Sequence, residues 1–402
     1  MINLWEQKID HNTMFKVTLL LDQLNGIIIV KQKYMNFSQL ANHRILEQPI
    51  YQPGKPIEQV ALEYNLNIDE ICKLASNENP WGASQKAIQA GKESLENIHL
   101  YPEGSGTKLR TRIASLHNID PNQIILGNGS NEIIELLGHV FLDAEDEVLM
   151  GQHAFVVYKL TALLMGAHPV VVPMPNLIHD LNKFREAITD KTKLIFLPSP
   201  NNPTGTANSH EEIIAFAESL PDHVIFCLDE AYAEYLEDPP DLRPLIREGK
   251  KIIAMRTFSK IYGLAGLRVG YGYGNSELVH LLQKARQPFN VNSVAQETAI
   301  AALEDREWVL ACREKNQNGL KQLEDGLRNL QLEYVSSKAN FILVKVGDGQ
   351  KMFQDLQHLG IITRSMAQDL NEYLRISVGT ESENKKVLHA IKVILDRNSS
   401  AE

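Results

Sequence analysis

Between about residues 107 and 290, short runs of branched and aromatic residues alternate with stretches of helical periodicity. The apolar runs are "QIILG" (123–127), "EVLMG" (147–151), "PVVVP" (169–173), "KLIFLP" (193–198), "VIFCL" (224–228) and "KIIAM" (251–255). Their almost unbroken Val, Ile, Leu and Phe content predicts strands covered on both faces, not strands with one wet side. Alternation with helices predicts βαβ units and a mostly parallel sheet between helices. After about residue 295 the pattern changes to long amphipathic helices, "QETAIAALEDREWVLACREKNQNGLKQLEDGLRNL". Strand-like "NFILVKV" and "YLRISVG" and a closing helix come next, which predicts a smaller α+β domain. The expected organisation is an α/β protein: an extension over 1–34, an arm over 35–75 that helps complete the small domain, a large domain over 76–294 and a small domain over 295–402.

Composition narrows the class. Of the 402 residues 44% are hydrophobic and 22% charged, ordinary values for a globular chain. A formal net charge of −10 argues against nucleic acid as a partner, because phosphate backbones demand basic surfaces. It also means that an anionic ligand must be held by a local cluster of cations. Cys72, Cys227 and Cys312 match no metal or disulfide spacing, which fits a reducing cytoplasm. The stretch "VTLLLDQLNGIIIVK" (17–31) is too interrupted by Asp22, Gln23 and Asn25 for a membrane span and lacks the order of a cleaved signal. We expect a dispensable extension there, with a short extra helix as the alternative.

In an open α/β sheet, ligands bind beyond the carboxyl ends of the strands, so the residues just past each strand are informative. After "QIIL" comes "GNGSNE" (127–132) running into a helix, a free amide end suited to an anion; a plain capped helix explains it equally well. After "KLIFLP" comes the rigid "SPNNPTG" (199–205). After "VIFCL" come Asp229, Glu230 and Tyr232, two acids that need partners if buried and a phenol. After "KIIAM" come Lys260 and, eight residues on, Arg268. Singly, each is explained by a loop or a solvated strand end. Together they match pyridoxal phosphate: a lysine for its aldehyde, an acid for its ring nitrogen, cations for its phosphate.

The chain resembles the fold type I pyridoxal-phosphate aminotransferases, and more narrowly their histidinol-phosphate group, from about residue 40 to 395. The motifs that carry this are "YQPGKP" (51–56), "LASNENPWG" (74–82), "LYPEGSGTKLR" (100–110), "GNGSNE", "SPNNPTG", "DEAYAEY" (229–235), "TFSKIYGLAGLRVGY" (257–271), "PFNV" (288–291), "ANFILV" (339–344) and "YLRISVGT" (373–380). The resemblance implies that Lys260 binds the cofactor covalently and shuttles the substrate proton, and that Asp229 pairs with the ring nitrogen. It implies that Asn202 and Tyr232 bond the phenolic oxygen, that Ser130, Asn131, Thr257, Ser259 and Arg268 hold the phosphate, and that Phe155 stacks on the ring. Tyr101 resembles a tyrosine that reaches the phosphate from a neighbouring subunit, which implies a homodimer with shared sites. Arg375 resembles the substrate's anion grip, Arg364 is a second candidate, and Tyr51 resembles a residue that closes over substrate; Asn202 also belongs to that side.

Two departures stand out: Asn131 where the family more often has Asp, and His153-Ala154 where Pro-Thr usually precede the stacking aromatic. The resemblance implies amino transfer between L-glutamate and imidazole acetol phosphate, giving 2-oxoglutarate and L-histidinol phosphate, a cytoplasmic step of histidine biosynthesis. An aromatic or broad-specificity aminotransferase is the alternative; a decarboxylase of a phosphorylated amino acid is the alternative of another class. No metal is expected. The Asn202–Pro203 bond is a candidate cis peptide, since tight turns are where X–Pro bonds adopt it.

Overall fold

The computed structural model describes residues 16–22, 26–32, 36–46, 48–50 and 54–399. They fall into two units, Met1–Ile50 and Tyr51–Glu402. In the first, strands Lys16–Asp22 and Gly26–Gln32 pair antiparallel, Leu19 opposite Ile29. The alternative expected there is a helix. The run Ile27-Ile28-Ile29-Val30 is β-branched, stiff at χ1 and suited to a pleated strand, which explains the difference.

The second unit is built on a seven-stranded sheet. Its strands are β1 (Ile124–Gly127), β2 (Glu147–Gly151), β3 (His168–Val172), β4 (Thr192–Pro198), β5 (Ile225–Asp229), β6 (Ile252–Thr257) and β7 (Gly270–Gly274). Their order across the sheet is β1-β7-β6-β5-β4-β2-β3, with β7 antiparallel to both neighbours and the remaining pairs parallel. Each predicted apolar run is one of the first six strands. One residue's side chain goes up and the next goes down, and both sides are covered: Ile124 and Leu126 pack in one core, Ile125 in the other. This is the mostly parallel sheet between helices that the pattern predicts and the fold type I arrangement that the resemblance implies.

The register sets the functional edge. Asp229 lies opposite Pro198 and Met255, while Gly270 lies opposite both Thr257 and Gly127. The carboxyl ends of β1, β4, β5 and β6 therefore finish at one level, and the loops after them leave on the same side.

The C-terminal sheet has order β8-β9-β11-β10: β8 (Tyr334–Val335), β9 (Phe341–Lys345), β10 (Arg364–Ser365) and β11 (Tyr373–Ser377), all antiparallel. Buried Leu323 and Leu327 of helix Arg306–Asn329, and Ile391 and Ile394 of helix Glu381–Ser399, close its core with Ile342, Leu374 and Ile376. Earlier sequence joins it: Cys72–Lys73 pairs parallel with Ile361–Ile362. All three cysteines are buried and free.

Candidate active site

The β1 end leads through Gly127-Asn128-Gly129 into helix α1 (Ser130–Phe141). Gly129 has φ +79, a conformation costly for any residue with a Cβ, and no side chain caps the helix. Its first amides are thus open to an anion, at the positive end of the helix dipole. Two close approaches make this geometry possible. A Cβ on Gly129 would lie 2.8 Å from Arg268 Nη2, and one on Gly270 would lie 2.5 Å from the Ser130 nitrogen. The Arg268 guanidinium therefore lies against the helix entrance, where its Nη1 donates to Ser259 Oγ (3.4 Å) and the Ala265 carbonyl (3.1 Å). Thr257 and Ser259 are buried beside it, the Ser259 amide donating to Thr257 Oγ1. One cation, hydroxyls and free amides converge there, the donor set that a phosphate requires. Asn131 is turned elsewhere: its Nδ2 donates to Glu135 Oε1 along the helix (3.1 Å).

At the β5 end Asp229 is 5% exposed, yet its carboxylate faces no protein cation at bonding distance among the described residues. Its Oδ1 accepts from the Ala231 amide (3.0 Å) and its Oδ2 from the Tyr158 hydroxyl (2.6 Å). Burial pushes its pKa up to about 6; the two hydrogen bonds pull the other way. Tyr158, on helix α2 (Val157–Met165), is a site residue that sequence reasoning does not single out. Its ring stacks on Phe196 (4.6 Å) and meets Phe155 edge-on (5.8 Å). The available signal is the pair of aromatics three apart in "FVVY", together with the rule that a buried tyrosine hydroxyl needs a partner.

Lys260 comes after β6, its Nζ donating to the Ser76 carbonyl (3.3 Å) and lying 5.5 Å from the Tyr232 ring centre. Tyr232 is buried, and its hydroxyl accepts from Asn77 Nδ2 (2.9 Å). Asn77 is a second residue that the sequence alone does not single out, although it sits inside the "LASNENPWG" motif. In the turn after β4, both Ser199–Pro200 and Asn202–Pro203 are cis, the second as expected. Asn202 Oδ1 accepts from Arg375 Nη1 (2.6 Å), whose Nη2 donates to the Ala75 carbonyl (2.5 Å). Arg375 also lies 5.4 Å over the Phe341 ring and stands opposite Arg364 in the β10–β11 register.

Asn77, Phe155, Asn202, Lys260, Arg364 and Arg375 line a cavity of about 610 Å³; Asp229, Tyr232 and the Arg268 cradle lie behind this lining and do not form its wall. That volume suits a cofactor with a small substrate. His153 lines it as well, its pKa lowered by burial and its Nε2 3.8 Å from Asp369. Tyr101 is not in the cavity. It is 83% exposed and stacks on Phe289 (4.9 Å) at the surface. Tyr51 lies outside the described residues.

The site fits pyridoxal phosphate on its own geometry: a buried acid with no cation at bonding distance among the described residues, a lysine on the cavity wall, and an anion cradle at a helix entrance. Comparison with known proteins agrees. Residues 69–391 match the family "Aminotransferase class I and II". The chain is 45% identical over 365 residues to a histidinol-phosphate aminotransferase of Akkermansia muciniphila, covering 90% of this chain and all of that one. It is 42% identical to one of Brevibacillus brevis, covering 88% and 97%. A histidinol-phosphate aminotransferase of Sinorhizobium meliloti, solved in complex with pyridoxal-5'-phosphate, has the same fold, with TM-score 0.80, 24% identity, and 87% and 97% of the two chains covered. The chain belongs to the class I and II aminotransferases, within the histidinol-phosphate aminotransferase family.

Proposed function

We propose that this cavity binds pyridoxal 5'-phosphate and moves an amino group between L-glutamate and imidazole acetol phosphate, giving 2-oxoglutarate and L-histidinol phosphate in histidine biosynthesis. The observation that carries the reading is the convergence of Lys260, Asp229 and the Arg268 cradle on one edge of the sheet, in a chain 45% identical to a relative of that name. When bound, the cofactor supplies the carbonyl carbon that takes the amino group and a ring that accepts the electron pair freed at the substrate Cα.

The chain's own residues do the rest. Arg268, Thr257, Ser259 and the Ser130 end of α1 would hold the phosphate, with Asn131 contributing its backbone. Asp229 would hold the ring nitrogen protonated, its oxygens already oriented by Tyr158 and Ala231. Phe155 would cover the ring face, while Asn202 and Tyr232 would bond its phenolic oxygen. The Lys260 amine would bind the cofactor and, once displaced by substrate, carry the Cα proton. Arg375, with Arg364 beside it and Tyr51 closing, would grip the substrate's anionic group. Bidentate guanidinium pairing suits both a carboxylate and a phosphate.

The working unit in this reading is a homodimer. Tyr101 is exposed and stacks on Phe289, and Leu95, Ile98 and Leu100, close to it in sequence, are exposed too; exposed large apolar side chains favour an association surface. We also propose the division into an extension (1–34), an arm (35–75), a cofactor domain (76–294) and a small domain (295–402). A cytoplasmic location fits the three buried, unpaired cysteines. No helix among the described residues is long and apolar enough to cross a membrane.

A substrate panel scored by kcat/KM tests the assignment. Histidinol phosphate should far exceed histidinol and phenylalanine. Equal rates on those would make the enzyme a general aminotransferase, and release of carbon dioxide without amino transfer would make it a decarboxylase.

A further inference from the structure

In the motif "LASNENPWG" three consecutive carbonyls are bonded by side chains, the first two by groups of the site. The Ala75 carbonyl accepts from Arg375 (2.5 Å), the Ser76 carbonyl from Lys260 (3.3 Å), and the Asn77 carbonyl from Asn340 Nδ2 (3.0 Å). Asn77 itself is buried and sits at φ +55, a left-handed conformation that Asn tolerates better than most residues.

The side-chain bonds of Asn77 have one polarity in this structure. The Asn77 backbone N–H donates to Ser377 Oγ (2.9 Å), so the serine oxygen is an acceptor there. The serine's own proton then goes to Asn77 Oδ1 (3.0 Å). In that ring the amide has its oxygen at Ser377 and its NH2 at Tyr232, 2.9 Å away. An amide NH2 only donates, so the phenolic oxygen accepts and the hydroxyl proton is left for a different acceptor.

We propose that Asn77 is a positioning residue that fixes the Tyr232 hydroxyl as a donor into the cofactor site, and that Ser377 holds it to that task from the strand carrying Arg375. The inference rests on the cofactor reading of the cavity. It links the two sides of the site: residues 75–77 engage the substrate-side arginine, the lysine and the phenol through consecutive groups. In this arrangement the donor direction of Tyr232 is set before anything binds, which spares the site that reorganisation during reaction.

The titratable and charged groups around this pair are Asp229, Lys260, Arg375, Tyr158 and Tyr235. Burial lifts the Tyr158 and Tyr235 hydroxyls well above their ordinary range, so neither titrates near neutrality.

The test is the pH midpoint of the holoenzyme's visible absorption, which follows the proton on the Lys260 nitrogen. Asn77→Asp keeps shape and backbone tolerance but turns the donor into an acceptor, so it captures the Tyr232 proton. The midpoint should rise by roughly one pH unit, the tenfold change that one hydrogen bond of ordinary strength supplies. Tyr232→Phe should raise it too. In the double variant the Asn77→Asp shift should shrink to less than half, because the added negative charge remains but the bond is gone. Ser377→Ala, which adds no charge and removes no cavity contact of Tyr232, should give a smaller rise and decides the matter if Asn77→Asp does not fold. Equal Asn77→Asp shifts in both backgrounds, or no shift in Ser377→Ala, overturns the proposal and leaves Asn77 a packing residue. A wild-type protein with no visible band that borohydride fixes on Lys260 would instead overturn the cofactor reading itself.

Discussion

Asp229 and Glu230 are neighbours at the same strand end, both buried, and the protein treats them in opposite ways. Glu230 is 0% exposed and has a charged partner: Arg256 Nε donates to its Oε2 at 2.9 Å and the Tyr273 hydroxyl at 3.0 Å. Arg256 also reaches Glu234 (3.4 Å), closing a buried charge cluster. Asp229 receives two neutral donors and, among the described residues, no cation within bonding distance, so burial raises its pKa to about 6. A buried acid with its cation built in is scaffold. A buried acid still lacking one is half of a binding site, because an unpaired buried charge is costly until something arrives to pair with it.

The strongest way to break that contrast is to remove Lys260, the proposed covalent anchor. Lys260→Ala should leave the fold intact, as no core volume is lost, yet abolish turnover. Borohydride treatment of the yellow wild type should fix the cofactor on Lys260, read by mass spectrometry of peptides. A colourless active enzyme, or an adduct on another lysine, rejects the site.

Next in size is the pair of acids themselves. Asp229→Asn loses the proposed partner of the ring nitrogen; a buried charge pair broken on one side costs about 3–5 kcal/mol. If most of this falls on the barrier, kcat/KM drops roughly 10²–10³-fold or more at about 1.4 kcal/mol per tenfold. Glu230→Gln should reverse the pattern, with the loss appearing in denaturant unfolding and a smaller loss in kcat/KM. If the two variants behave alike, the two acids do not differ in role.

On the substrate side, Arg375→Ala should impair both half-reactions. Truncating one partner of such a charge pair costs about 2–5 kcal/mol, roughly 30-fold to several-thousand-fold in kcat/KM. Arg364→Ala should weaken histidinol phosphate more than glutamate. Separate half-reaction kinetics check both.

The smallest effect is pH-dependent. Between about pH 4 and 6 an unfolded chain has this aspartate ionised, whereas the cofactor-free folded protein keeps Asp229 protonated. The folded state holds the extra proton, so this group's contribution to stability falls as pH rises through that window. A cationic ring nitrogen reverses the preference, so cofactor affinity should strengthen as pH rises through about 6. Equilibrium titration of the cofactor-free wild type and Asp229→Asn from pH 5 to 8 measures it; the difference between the two curves isolates this carboxyl. Parallel curves would mean that Asp229 is not the titrating group.

Much of this is legible in the chain. Continuous apolar runs determine the strands, because a strand covered on both faces leaves little room for polar residues, and the residues after each run mark Lys260, Asp229, Asn202 and Arg268 as a set. The β-branched 27–30 run is harder to read as a strand because polar residues interrupt the stretch around it. Tyr158 and Asn77 are out of reach for a different reason. Their partners, Asp229 and Tyr232, are 71 and 155 residues away, and hydrogen-bond polarity exists only once those atoms meet. By itself the sequence says that Asp229 and Glu230 both need partners. Only the tertiary structure decided which of them received Arg256, since successive side chains on a strand leave on opposite faces and, among the described residues, only Glu230 has a cation at bonding distance.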